Sequence, residues 1–123
     1  MIGAGAAGLG ALQVLRDEGV SVDCFERSDR VGGHWHSDYE SLHLITPRDS
    51  SGFEGCPMPA EYPLFPSRDQ MRDYILGFAA QHGLGSHIRF NTRRSRQRDR
   101  WTRPASPAGR SRRPTASAAS TTA

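Results

Sequence analysis

The sequence predicts an α/β fold of the Rossmann-like type, in which a strand, a glycine-rich turn, a helix and a second strand form a βαβ unit. Three observations predict it. Residues 3–8 read GAGAAG, the segment after them carries leucines at helical spacing, and an apolar run then ends on Glu26. Glycine-rich turns are common, so the prediction depends on the helix, strand and acid following the glycines in this order.

Each glycine of the first motif has a steric role in such a unit. Gly3 permits the turn from strand to helix, Gly5 lets the backbone approach a pyrophosphate, and Gly8 lets helix and strand pack closely. The helix would direct its unpaired N–H groups at the phosphates. These residues predict a dinucleotide site.

The next two elements follow from hydrophobic patterning. Leu9, Leu12 and Leu15 lie on one face of a helix that is predicted to run to about Asp17. Residues 20–26, VSVDCFE, predict a buried strand with its carboxylate at the carboxyl end. A carboxylate at that place can accept hydrogen bonds from both hydroxyls of an adenosine ribose.

The strand before Gly3 is short, because only Met1 and Ile2 precede the turn. A strand in the middle of a sheet usually contributes about five residues. We therefore expect an incomplete fold with a truncated first strand, in which either the true start lies upstream or the chain is a fragment.

A second glycine motif follows the acid directly. The chain reads ERSDRVGGHW, with the pair Gly32-Gly33 and then Trp35. This segment resembles the second fingerprint of the two-dinucleotide-binding-domain flavoproteins, in which the glycine pair brings backbone close to the FAD pyrophosphate and ribityl chain. The alternative is an ordinary loop with a tryptophan that closes a core.

The segment from Tyr39 to Ile75, YESLHLITPRDSSGFEGCPMPAEYPLFPSRDQMRDYI, narrows the resemblance. It is similar to the flavin-containing monooxygenases and their Baeyer–Villiger relatives, and the similarity covers about residues 1–92. The resemblance implies an FAD/NAD(P)-binding fold, FAD and NADPH as cofactors of the intact parent, and O₂-dependent oxygenation of a small nitrogen or sulfur nucleophile or a ketone. The FAD contacts that it implies are Gly3, Gly5, Gly8, Glu26, Gly32, Gly33 and Trp35, with Arg27 beside the adenosine.

One position departs from the family pattern. Many members place an asparagine beside the flavin ring in this segment, and Ile45 occupies that place. Thr46 and Arg48 could supply polar contacts there or could form the turn around Pro47. No catalytic acid or base is assigned.

The helix after Pro66 is specified locally. Ser67 and Gln70 form a predicted capping box, and Gly83 is predicted to end the helix beyond His82. The predicted apolar face consists of Met71, Tyr74, Ile75, Phe78 and Ala79. A short strand over residues 88–91 follows.

Composition changes abruptly after Thr92. Residues 93–123 hold nine arginines and one acid, a net charge of about +8, against about −5 for residues 1–92. We expect a disordered tail. Such a composition favours a reading-frame shift in a GC-rich gene, and the alternative is an arm that binds nucleic acid.

The resemblance and the length of 123 residues together imply a partial FAD-binding domain over residues 1–92 with no NADPH domain. A core this small is marginal, so we expect the chain alone to bind FAD poorly and not to turn over. Two other classes stay open: another flavoprotein, such as an amine oxidase or disulfide reductase, and a small non-enzymatic protein with a nucleic-acid-binding tail.

Other chemistries have little support in the sequence. Cys24 and Cys56 form no CxxC pair and fit a reducing cytoplasm. His34 and His36 have no companions at metal-ligand spacing, so no metal site is expected. With neither a long apolar run nor a signal peptide, the sequence indicates neither membrane insertion nor secretion.

Overall fold

The computed structural model describes residues 1–93. In chain order its helices and strands are α1 (Ala6–Asp17), β1 (Cys24–Phe25), α2 (Arg68–Gln81) and β2 (Ile88–Arg89). Short 3₁₀ turns lie at Gly33–His36, Arg48–Ser50 and Leu84–His87. The arginine-rich tail was predicted over residues 93–123, and its residues 94–123 lie outside the described part of the chain.

The strands form a small parallel sheet with β1 in the middle. Cys24 lies opposite Ile88 on one side, and Ile2 forms a parallel bridge with Phe25 on the other. The Gly3 N–H donates to the carbonyl oxygen of Phe25 at 2.8 Å. Strand, glycine turn, α1 and β1 thus occur in the predicted order, and the predicted α/β fold is confirmed.

Both predicted strands are shorter than the sequence suggested. Residues 20–23 and Glu26 lie outside β1, and residues 90–91 lie outside β2. Val20 still belongs to the exit from α1, since its N–H donates to the carbonyl oxygen of Leu15 at 2.9 Å. Residues 21–23 form no strand pairing within the described part of the chain. Asn91 has a φ of 53°, which ends the extended backbone of the second strand.

Helix α1 buries the face that its leucines predict. Leu9 and Leu12 are fully buried, and Leu15 is half-buried. The helix begins after Gly5 and ends at Asp17, as expected. The Arg16 guanidinium donates to the carbonyl oxygen of His82 and so fastens the end of α1 to the end of α2.

Helix α2 matches its sequence prediction throughout. The Ser67 hydroxyl accepts from the Gln70 N–H, and the Gln70 side chain accepts from the Ser67 N–H at 2.9 Å, which completes the capping box. Gly83 follows with a φ of 60°. The five buried residues of the helix are the predicted Met71, Tyr74, Ile75, Phe78 and Ala79.

The core joins the two helices to the sheet. Phe78 is among the largest fully buried side chains and stacks on Phe53, with ring centroids 3.8 Å apart. The hydroxyl of Tyr74 accepts from the Phe53 N–H at 2.7 Å and donates to the Cys56 carbonyl oxygen at 2.5 Å. These contacts hold the segment between the second glycine motif and α2 against the core. None of the helices in the described residues is both long and apolar enough to cross a bilayer.

Candidate functional site

The first glycine motif brings the start of α1 close to the backbone at Gly3. A Cβ atom placed on Gly8 would lie only 2.0 Å from the carbonyl oxygen of Gly3, so only glycine fits there. Gly3 itself has a φ of 94°, a backbone conformation that favours glycine. The first turn of α1 contains no acidic residue, and Gly5 supplies no side-chain cap. No side chain of α1 itself therefore caps these N–H groups or neutralises the positive end of the helix dipole.

The second glycine motif lies directly against the first. The Gly32 N–H donates to the carbonyl oxygen of Ala4 at 3.0 Å. Gly33 has a φ of 59°, and a Cβ atom on it would approach the Cα of Gly5 to 3.4 Å. Two backbone segments without side chains thus meet at the start of α1, in the arrangement that suits close approach of a phosphate group.

Glu26 is the buried acid of the site. Its side chain lies next to both glycine motifs, and the residue is 6% exposed. One carboxylate oxygen accepts from the Ala4 N–H at 2.6 Å, and the other accepts from the N–H and hydroxyl of Ser28, each at 2.9 Å. Burial raises the pKa of Glu26, but the hydrogen bonds from Ala4, Ser28 and Arg27 outweigh it and lower the pKa below its usual value. The group is therefore a carboxylate at neutral pH.

Two clefts meet at this acid, and both include Glu26 and Arg27. The first, of about 390 Å³, extends toward Gly33 and His36. The second, of about 430 Å³, extends toward Ile2, Gly3 and the chain at Thr92 and Arg93. The structure thus places seven of the eight predicted site residues around one corner of the fold. These seven are Gly3, Gly5, Gly8, Glu26, Arg27, Gly32 and Gly33.

The eighth predicted residue, Trp35, is turned toward the protein interior. Its side chain is half-buried and packs against the core, with its ring 4.7 Å from that of His34. It lies in the 3₁₀ turn that begins at Gly33. A contact between Trp35 and a cofactor stays a prediction.

The segment that contains Ile45 and Arg48 runs beside the entry to α2. Ile45 is 93% exposed. Its correspondence to the asparagine of many family members stays a prediction. The Arg48 guanidinium donates to the carbonyl oxygens of Ala60 and Tyr62, at 2.7 and 2.5 Å. Arg48 therefore fastens the chain near Pro59 to this segment, a role different from both of those considered from the sequence. A polar contact of Arg48 with the flavin stays a prediction.

One residue of the site was not singled out from the sequence. The ring of His36 reaches back over the glycine pair, and its Nε2 lies 2.6 Å from the carbonyl oxygen of Val31. The contact depends on the 3₁₀ turn at Gly33–His36, which has no clear sequence signal. Across residues 1–93, no three His, Cys, Asp or Glu side chains are grouped as metal ligands would be.

The fold and the site together define a dinucleotide-binding protein of the Rossmann-like class. The model of the flavin-binding monooxygenase-like family matches residues 1–103, and the chain belongs to this family. The predicted family is thereby confirmed, and amine oxidases and disulfide reductases are set aside.

Curated relatives agree with the family assignment. The chain is 34% identical over 102 residues to flavin-containing monooxygenase 3 of Rattus norvegicus and to flavin-containing monooxygenase 2 of Homo sapiens. In each case the match covers 75% of this chain but 19% of the relative. The chain therefore spans about a fifth of the length of these proteins.

Solved structures show the same fold. A crystal structure of OTEMO in complex with FAD and NADP matches with a TM-score of 0.68 and 30% identity, over 75% of this chain and 18% of that one. The flavin-containing monooxygenase of Stenotrophomonas maltophilia matches with a TM-score of 0.64 and 32% identity, over 72% of this chain and 26% of that one.

Proposed function

We propose that this chain provides the FAD-binding part of a monooxygenase that uses NADPH and O₂ to oxygenate a small nitrogen or sulfur nucleophile or a ketone. The observation that carries the proposal is the meeting of Gly5 and Gly33 at the start of α1, beside the ionised Glu26. The family assignment and the FAD and NADP complex of a similar structure support it.

The residues present fit FAD. The missing side chains at Gly5 and Gly33 leave room for a pyrophosphate, and the open N–H groups of α1 would donate to it. The Glu26 carboxylate would accept hydrogen bonds from the adenosine ribose, and Arg27 borders both clefts next to it. When bound, FAD supplies the redox and oxygen chemistry.

The described residues would contribute binding and orientation. Glu26 is already held by Ala4 and Ser28, so its oxygens are fixed before the cofactor arrives. Such preorganisation reduces the ordering cost of binding. The side chains here would position FAD rather than transfer protons.

The proposal includes a cytoplasmic location. Cys24 and Cys56 are free thiols in the described part of the chain, which suits a reducing compartment.

An FAD titration of the full 123-residue chain tests the proposal, with quenching of flavin fluorescence as the readout. We expect saturable binding that is too weak to retain stoichiometric FAD through purification. Gly33→Ala should reduce the affinity about tenfold, because the new methyl group would fill the space beside Gly5 that is proposed for the pyrophosphate.

Gly55→Ala is the matched control. Gly55 has a φ of 71°, close to the 59° of Gly33, but a Cβ atom on it would meet nothing within 4 Å. Both variants therefore carry backbone strain, and only Gly33→Ala alters the site. Equal FAD affinities of the two variants, or no saturable binding by the wild-type chain, would contradict the proposal.

A further inference from the structure

His36 stands four residues after the first glycine of the second motif and folds back over it. Its Nε2 lies 2.6 Å from the carbonyl oxygen of Val31, the peptide group that leads into Gly32. A carbonyl oxygen can only accept, so Nε2 carries the proton and donates. This hydrogen bond closes a loop from Val31 to His36 that contains both glycines. Neither glycine has a side chain that could fix its backbone.

The ring of His36 also covers Gly32. A Cβ atom on Gly32 would lie 2.8 Å from the Nε2 and 3.1 Å from the Cδ2 of His36. Two features therefore favour glycine at position 32, which are its φ of 109° and the imidazole ring packed against it. The N–H of Gly32 donates to the carbonyl oxygen of Ala4, in the turn that leads into α1.

These contacts connect His36 with the phosphate position through the backbone. His36 fixes the Val31–Gly32 peptide, Gly32 is bonded to Ala4, and Gly33 then lies against Gly5. Glycine loses more conformational freedom on ordering than any other residue. A free glycine pair would have to be ordered when the ligand binds, whereas a fixed pair has already lost that freedom.

We propose that His36 is a positioning residue that holds the Gly32–Gly33 turn in the conformation that receives the cofactor pyrophosphate. The inference deepens the proposed function and rests on it. His36 lines the cleft of about 390 Å³ together with Gly33, but its Nε2 is engaged with Val31 and acts on the cofactor through the turn.

Two substitutions of His36 distinguish the effect of its hydrogen bond from the effect of any polar side chain at this position. The side-chain nitrogen of glutamine reaches about as far as the Nε2 of histidine, and that of asparagine falls short of it. We expect His36→Gln to keep FAD affinity within about twofold and His36→Asn to weaken it about three- to tenfold, as the loss of one hydrogen bond predicts. Rescue by glutamine alone is the signature of positioning.

A matched control comes from a second histidine that contacts a carbonyl group. The Nδ1 of His43 lies 2.8 Å from the carbonyl oxygen of Ser41, on an exposed loop outside both clefts. His43→Asn should leave FAD affinity unchanged. An equal loss of affinity in His36→Gln and His36→Asn, or none in either, would overturn the inference.

Hydrogen exchange of the Gly32 amide, measured by NMR without FAD, tests the inference independently of cofactor binding. Exchange should be faster in His36→Asn than in wild type and near wild type in His36→Gln. Unchanged exchange in His36→Asn would overturn the inference even if the wild-type chain binds FAD. Failure of the wild-type chain to bind FAD would instead contradict the proposed function, with the exchange data still deciding whether His36 holds the turn.

Discussion

The carbonyl oxygen of Gly3 occupies the space where a side chain on Gly8 would begin. The separation from an added Cβ atom would be 2.0 Å, and the obstacle is backbone rather than a flexible side chain. The turn at Gly3 and the first turn of α1 therefore pack too closely to admit any side chain at position 8.

Gly8→Ala should destabilise the fold by about 3 kcal/mol, in the upper part of the usual range for overpacking, because strand and helix must separate. Gly77→Ala is the control, since Gly77 is an exposed position of α2 where a Cβ atom would meet nothing within 4 Å. It should stabilise by about 0.5–1 kcal/mol. Urea unfolding measures both, and a neutral Gly8→Ala would show that the close approach is absent.

Acidification should remove stability that Glu26 contributes. Burial raises the pKa of this carboxyl, but hydrogen bonds from Ala4 and Ser28 dominate, and the pKa in the folded state lies below its usual value. The contribution is therefore fully present above the unfolded pKa of about 4.3 and is lost as the pH falls through the lower folded value.

Glu26→Gln isolates this contribution. At pH 7 the glutamine should cost about 1–3 kcal/mol, because its amide cannot accept at both ends. Below the folded pKa the wild-type group is a neutral acid, so the free energies of unfolding of the two proteins should converge. A difference that stays constant between pH 7 and pH 3 would contradict the assignment.

Tyr74→Phe should destabilise the protein by about 1–3 kcal/mol, because the N–H of Phe53 and the carbonyl oxygen of Cys56 both lose the hydroxyl. Tyr39→Phe is the control, since Tyr39 is 66% exposed, and it should change stability by less than about 0.5 kcal/mol. Chemical denaturation of the two variants measures both changes in the free energy of unfolding. Equal effects would show that the Tyr74 hydroxyl does not fasten the loop.

Helix α2 could be predicted almost completely because its determinants are local. The capping pair Ser67 and Gln70 and the apolar repeat from Met71 to Ala79 lie within one stretch of chain. The strands were less predictable, since a strand extends only as far as its neighbour pairs with it. Among the described residues, β1 pairs only with Ile2 and with β2, so residues 20–23 stay outside it despite their alternating valines.

The glycine motifs could be located from sequence because each glycine has a steric reason to be there. The hydrogen-bond partners of the polar side chains could not be predicted from the sequence. The bonds of Arg48 to Ala60 and Tyr62, and that of His36 to Val31, depend on how irregular segments fold back. No periodic pattern in the sequence predicts these contacts.

The parallel pairing of Cys24 with Ile88 has a consequence for how the chain folds. Most of the described residues lie between the two partners, so β1 and β2 cannot join until nearly all of this region has been synthesised. Until then β1 has one unpaired edge, and contacts between distant parts of a chain form slowly. During translation the nascent chain is therefore expected to expose that edge, which makes early aggregation, or its prevention by a chaperone, a determinant of the yield of folded protein.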